Sequence, residues 1–193
     1  FTENDYGTYE YSIRLNDEYF QLFTMGTAYK PGYSSNFPAS LITTPLNWDE
    51  LVLNKSTMDE VMMVNTWIEN KFEIDTNEIL SKKINRGYKC LFFGPPGTGK
   101  TLTATLIGKK NSKFVYRIDL SEVVSKYIGE TEKNLARIFD IAENKDWVLF
   151  FDEAESLFSK RTGVQDSKDK NANQQTAYLL QRIENYNGLI ILA

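Results

Sequence analysis

Residues 94–101 read Gly94-Pro95-Pro96-Gly97-Thr98-Gly99-Lys100-Thr101, and this octapeptide restricts the chain to a narrow set of folds. It fits the spacing G-x-x-x-x-G-K-[ST], in which a glycine-rich turn points successive backbone N–H groups at a phosphate. Glycine permits the tight path, and the N-terminus of the following helix adds partial positive charge. Chance alone supplies the four fixed positions about once in several tens of thousands of sites, so a plain Gly/Pro surface turn is the weaker explanation. The flanks agree: Lys89–Phe93 reads as a strand and Gly99 to about Lys110 as a helix. Residues 94–101 with Leu102 form the expected nucleotide-binding set. Lys100 would reach the β- and γ-phosphates, and the Thr101 hydroxyl would hold Mg²⁺.

A second element falls where a nucleotide hydrolase needs it. Trp147-Val148-Leu149-Phe150-Phe151 is a continuous apolar run, the mark of a strand buried on both faces of a parallel sheet. It ends in Asp152-Glu153. Carboxylates abutting a buried strand are costly unless paired or bound to metal. Here Asp152 is expected to hold Mg²⁺, and Glu153 to polarise the attacking water as general base. The competing explanation is that the two acids cap a helix over 154–158. Together with the loop at 94, the acid pair points to ATP binding and hydrolysis with ATP and Mg²⁺ as cofactors.

These residues carry a family resemblance. The loop 94–101, Phe150-Phe151-Asp152-Glu153-Ala154, and Lys126-Tyr127-Ile128-Gly129-Glu130 between them resemble the AAA clade of the AAA+ ATPases over roughly residues 48–193. The stretch from Arg117-Ile118-Asp119-Leu120-Ser121 to Asn134, with Lys145-Asp146-Trp147, is similar to bacterial AAA proteins encoded beside phage-tail-like contractile particles. The resemblance implies a homo-oligomeric ring, usually a hexamer, that couples ATP hydrolysis to remodelling or unfolding of a protein substrate in a chaperone-like way. It also implies that Tyr127, Ile128 and Gly129 form a pore loop gripping an extended polypeptide. Read from residues alone, Tyr127 and Ile128 are equally consistent with packing at a helix end. Polar Ser159–Asn171 reads as a loop, either a second pore loop or a solvated connector.

The chain as given ends within a strand, Leu189–Ala193, so the polar sensor, arginine fingers, last strand and helical lid of the family are expected beyond it. A fragment so bounded is expected to hydrolyse ATP poorly. The fold class expected is α/β: a three-layer P-loop NTPase sandwich with a mostly parallel sheet, the AAA+ large subdomain over residues 48–193.

Other strands and helices follow from patterning. Phe114–Ile118 and Val148–Phe151 read as strands. Thr57-Met58-Asp59-Glu60 is a capping box opening a helix with Met58, Val61, Met62, Ile68 and Phe72 near one face. Leu135, Ile138, Phe139 and Ala142 mark another helix, and Ala172, Thr176, Leu179, Leu180 and Ile183 a third. For the adenine, Leu51 and Val52 within Trp48–Leu53 are the candidates; the alternative is that this stretch packs against the sheet.

Residues 1–47 fall outside the motif-level resemblance and are rich in Phe and Tyr. Tyr9, Tyr11, Ile13 and Leu15 alternate as in a strand, and Tyr19–Met25 is expected to return as the second arm of a hairpin before a proline-marked linker. The segment is either a substrate- or adaptor-binding module or a flap packed on the ATPase body.

Composition excludes several classes. With 193 residues and net charge −4, the chain is a poor nonspecific binder of nucleic acid or anionic membrane. Histidine is absent, which removes His-based triads and His-ligated metals, and Cys90 is the only cysteine, so no internal disulfide forms. No run reaches the roughly 18 apolar residues of a membrane span. A cytoplasmic protein is expected. A nucleotide-dependent assembly scaffold with slow turnover stays open as an alternative to the remodeller. A nucleic-acid motor or clamp loader is disfavoured by the acidic balance.

Overall fold

Residues 2–3, 9–10, 15, 17–84, 87–123, 130–143, 145–155 and 167–193 are described by the computed structural model. The chain separates into two compact units, Phe1–Pro31 and Gly32–Ala193. In the first, β1 (Thr2–Glu3) pairs antiparallel with β2 (Tyr9–Glu10). The expected second hairpin arm is instead a helix, α1 (Asp17–Met25). The apolar residues Tyr19, Phe20, Leu22, Phe23 and Met25 recur at helical rather than alternating spacing, and Tyr19 and Phe23, one turn apart, stack with centroids 6.3 Å apart.

The second unit is built on one five-stranded sheet. Its strands are β3 (Ser40–Ile42), β4 (Tyr88–Leu91), β5 (Val115–Asp119), β6 (Val148–Asp152) and β7 (Leu189–Leu192), in the order β3-β5-β6-β7-β4. All neighbours pair parallel except β3, which lies antiparallel on the β5 edge. Helices cover both faces, so β6 up to Phe151 and the whole of β7 are apolar rather than alternating. Leu149 and Phe151 face one cluster, with Leu135, Ile138 and Phe139 of α6 (Glu130–Ala142) and Leu179 and Ile183 of α7 (Ser167–Asn185). Val148 and Phe150 face the other, with Val61, Val64 and Ile68 of α2 (Lys55–Thr76) and Ala104 and Ile107 of α4 (Lys100–Lys110). Each phenylalanine so buried contributes about 2–3 kcal/mol.

Residues 32–47 belong with this body, the two compact units dividing between Pro31 and Gly32. Phe37 and Ala39 are buried, and Phe37 meets Tyr116 edge-on with centroids 5.2 Å apart. The prolines at 38 and 45 hide this strand from pattern reading, yet an outer strand tolerates them beside it.

Two further boundaries shift. Helix α2 opens at Lys55, where Asn54 Oδ1 accepts the N–H of Thr57 at 2.8 Å, so the Thr57–Glu60 capping box lies inside the helix. Its 22 residues span about 33 Å, longer than the strands beneath. Phe72, expected on the packed face, is 80% exposed in its later turns. The expected loop 159–171 is helical in backbone from Ser167, its polar first turns leading into the turns that bury Thr176, Leu179 and Ile183; residues 159–166 lie outside the described residues. Short helices α3 (Leu80–Lys83) and α5 (Leu120–Val123) complete the order.

Candidate functional site

The loop after β4 is shaped by its glycines. Phe92 N–H still donates to Leu192 O at 2.7 Å, continuing the ladder, before the chain leaves the sheet. Gly97 and Gly99 take φ of +80° and +90°, a region that penalises any residue with a Cβ. Gly99 is the N-terminal cap of α4, and Lys100 is its first residue. The Lys100 ammonium folds back over the loop, donating to Gly94 O at 2.8 Å and Pro95 O at 3.4 Å, while Thr98 Oγ1 donates to Pro95 O at 2.9 Å. Pro95, Pro96, Gly97, Thr98 and Thr101 are exposed; Gly94, Gly99 and Leu102 are half-buried. The first turn of α4 carries no acidic residue, so the helix dipole and Lys100 favour an anion there.

The acid pair lies on the same edge of the sheet. In the parallel ladder Leu91 and Phe151 both register with Leu192, so β4 and β6 run out together on either side of β7, about 10 Å apart. Side chains alternate along a strand, so Asp152 shares the face of Phe150, which packs against Ala104 and Ile107 of α4. The sheet thus brings Asp152 to the face and the end at which the phosphate loop opens α4. Glu153 follows, exposed, at φ +59°, with its N–H donating to Asp152 Oδ1 at 3.2 Å. A glutamate held in the left-handed region costs about 1–2 kcal/mol, and such strain clusters at functional positions.

Sequence reading found the acids but missed their neighbours. Arg117 Nε donates to Asp152 Oδ2 at 2.8 Å, and Arg117 Nη2 to Asp119 Oδ2 at 3.3 Å. The available signal was two charged residues at alternate positions in the strand Val-Tyr-Arg-Ile-Asp, at the C-terminal end where parallel sheets bind ligands.

With loop and acids placed, comparison with known proteins decides the family. The sequence profile of the ATPase family associated with various cellular activities (AAA) matches residues 90–193. The chain belongs to the AAA ATPase family. Among curated relatives of this AAA chain, the peroxisomal ATPase PEX6 of Candida glabrata is 31% identical over 164 residues, covering 83% of this chain and 16% of the relative. PEX6 of Penicillium chrysogenum is 34% identical over 116 residues, 60% of this chain and 8% of the relative. A putative cell division cycle ATPase of Plasmodium falciparum is 35% identical over 104 residues, 53% of this chain and 8% of the relative. The chain therefore spans less than a fifth of the relatives it matches. The fold agrees with a crystal structure of the FIGL-1 AAA domain in complex with ADP: TM-score 0.57 at 20% identity, over 80% of this chain and 50% of that one.

The adenine candidates separate. Trp48–Glu50 forms a 3-10 turn closed by a capping box, with the Asn47 N–H donating to Glu50 Oε2 at 2.7 Å. Lys109 of α4 anchors it, donating to Pro45 O at 3.1 Å, Leu46 O at 2.8 Å and Asn47 Oδ1 at 3.0 Å. Leu51 is buried, with Cδ1 3.7 Å from where a Cβ on Gly99 would stand, whereas Val52 is 93% exposed. Leu51 adjoins the loop; Val52 faces solvent. Tyr127, Ile128 and Gly129 lie outside the described residues. Among the described residues no group of three or more Asp, Glu or Cys side chains could hold a metal. No described helix is long and apolar enough to cross a membrane.

Cys90 sits on β4, four residues before the loop. Burial pushes its thiol up from 9.0 to about 12, and Sγ contacts Ile190 O at 3.6 Å. The folded chain thus keeps this proton above pH 9.0 while the unfolded chain releases it, so the thiol withdraws stability as pH rises from about 9 toward 12. At pH 8.5 iodoacetamide should alkylate Cys90 at least about tenfold more slowly in the native chain than in urea, since the thiolate is the nucleophile. Equal rates would show that β4 is not packed as described.

Proposed function

We propose that this chain is the ATP-binding and ATP-hydrolysing core of a ring-forming AAA protein that remodels or unfolds a protein substrate. What supports the reading most is the parallel register of β4, β7 and β6, by which residues 94–101 and Asp152 leave the same end of the sheet, Asp152 on the side that α4 covers. The backbone N–H groups of Gly94 and residues 97–102 hold the phosphates, Pro95 and Pro96 shaping the turn without donating, and Lys100 reaches the β- and γ-groups. Leu51, buried beside Gly99, would flank the purine, with exposed Val52 next to it.

The donor set suits Mg²⁺: a hydroxyl at Thr101 and a half-buried carboxylate at Asp152, both oxygen ligands, beside a site built for phosphates. Thr101 and Asp152 would hold the ion, which when bound supplies charge neutralisation of the phosphates. Glu153 takes the proton of the attacking water as general base; its exposed side chain makes it available for that role.

The remaining parts of the reading come from the AAA resemblance. They are a hexameric ring, a grip on the polypeptide through Tyr127, Ile128 and Gly129, and a chaperone-like role. Residues 48–193 carry the ATPase large subdomain, which β3 (Ser40–Ile42) extends by one antiparallel edge strand, and the N-terminal segment serves recruitment of substrate. The PEX6 relatives bear peroxisomal names, and this chain spans 16% of one and 8% of another.

Isothermal titration calorimetry on the chain tests the reading. ATP with Mg²⁺ should bind one to one, and more weakly in EDTA. No heat with either would overturn it.

A further inference from the structure

Asp152 is held before any cation reaches it. In the parallel pair, Asp119 registers with Asp152 and Arg117 with Phe150. Residues two apart on β5 share a face, so Arg117, Asp119 and Asp152 stand together on the side covered by α4. The guanidinium lies between two carboxylates: its nearer contact is Asp152 Oδ2 at 2.8 Å, its longer one Asp119 Oδ2 at 3.3 Å. Asp119 is itself anchored, its Oδ1 accepting the Ser121 N–H at 3.0 Å and the Ser121 hydroxyl at the start of α5. It cannot follow Arg117; Arg117 must come to it.

We propose that Arg117 is a positioning residue that sets how readily Asp152 takes a divalent cation. It occupies Oδ2, and Asp119 is the second carboxylate to which the guanidinium moves when Asp152 turns its charge toward the metal. This rests on the reading of Asp152 as a Mg²⁺-holding group. The side chains are partly open to solvent, 41% for Arg117 and 21% for each acid. Pairs so exposed are weak enough to exchange and strong enough to bias a competing cation. Asp119 lowers the cost of release, because the guanidinium leaves one carboxylate for another rather than for water alone.

Opposite responses to two substitutions follow. Arg117→Ala removes the competitor and should lower the Mg²⁺ concentration at half-saturation. Asp119→Asn removes the alternative partner, commits Arg117 to Asp152 and should raise it. Each shift should be about fivefold, the size a partly exposed ion pair supports. The measurement is MgCl₂ titration of the chain with a fixed concentration of a fluorescent N-methylanthraniloyl ATP, together with the affinity of that nucleotide in EDTA. The EDTA affinity should stay within about twofold of wild type, since neither residue touches the phosphate loop. A merely structural role would weaken binding in both variants and both conditions.

Shifts in the same direction, or no shift in either variant, would overturn the proposal. If Arg117→Ala does not fold, Asp119→Asn decides alone: an unchanged or lowered Mg²⁺ requirement overturns it. A wild-type chain showing no Mg²⁺-dependent uptake would be a different result, overturning the nucleotide site and with it this role for Arg117.

Discussion

Glu153→Gln should abolish ATP turnover while leaving ATP binding intact. Losing a general base costs about 10²–10⁴-fold in rate, and glutamine keeps the size of the side chain but cannot accept the proton. Binding should survive because Glu153 is exposed and contacts Asp152 only through its own N–H. The backbone supplies an internal control. Glu153 holds φ +59°, so Glu153→Gly should relieve strain and raise stability by about 1 kcal/mol while losing the same turnover. Phosphate release by the assembled protein, nucleotide binding by calorimetry and a thermal melt separate these effects. Turnover within about tenfold of wild type would remove Glu153 from the chemistry. The same variant divides the function classes: a remodeller loses substrate unfolding but retains nucleotide, whereas a scaffold keeps its assembly.

The parts of the site legible in sequence are those whose chemistry is carried by one contiguous stretch. Loop 94–101 needs glycines at fixed offsets, and the apolar run ending at Asp152 needs burial on both faces, so both are written locally. Arg117 was not legible as a partner of Asp152, because strand pairing sets their proximity across 35 positions of chain. Edge strand β3 was obscured for a related reason: three residues between prolines carry too little periodicity, and their place follows from pairing with β5. Leu51 and Val52 differ only by alternation in an irregular segment, and the Lys109 anchor that orients it comes from the far end of α4. In the first unit, Tyr19–Met25 shows how aromatic enrichment invites a strand reading even where spacing favours a helix.

Lys100→Ala should cost about 10²-fold in MgATP affinity with little change in stability. The ammonium already rests on Gly94 O and Pro95 O, 2.8 and 3.4 Å away, so it is held over the loop without a tether to a carboxylate in the first turn of α4. Contacts to loop carbonyls on an open surface contribute about 1 kcal/mol to folding at most. A charge-assisted contact to phosphate is larger: truncating one partner of such a pair costs about 2–5 kcal/mol, and the half-buried position of Lys100 favours the lower half of that range. About 3 kcal/mol is a little over 10²-fold. On the proposed role of Lys100 at the β- and γ-groups rather than the base, the loss should depend on the phosphates present. Affinity for AMP should therefore hardly change, while ADP and ATP weaken together. Lys100→Arg should not restore binding, since a planar guanidinium is broader than the ammonium that fits above Gly94. Calorimetry with the three nucleotides checks the pattern. An equal loss for AMP would mean that the substitution had collapsed the loop, and MgATP binding within about threefold of wild type would place the phosphate chain elsewhere on the sheet edge.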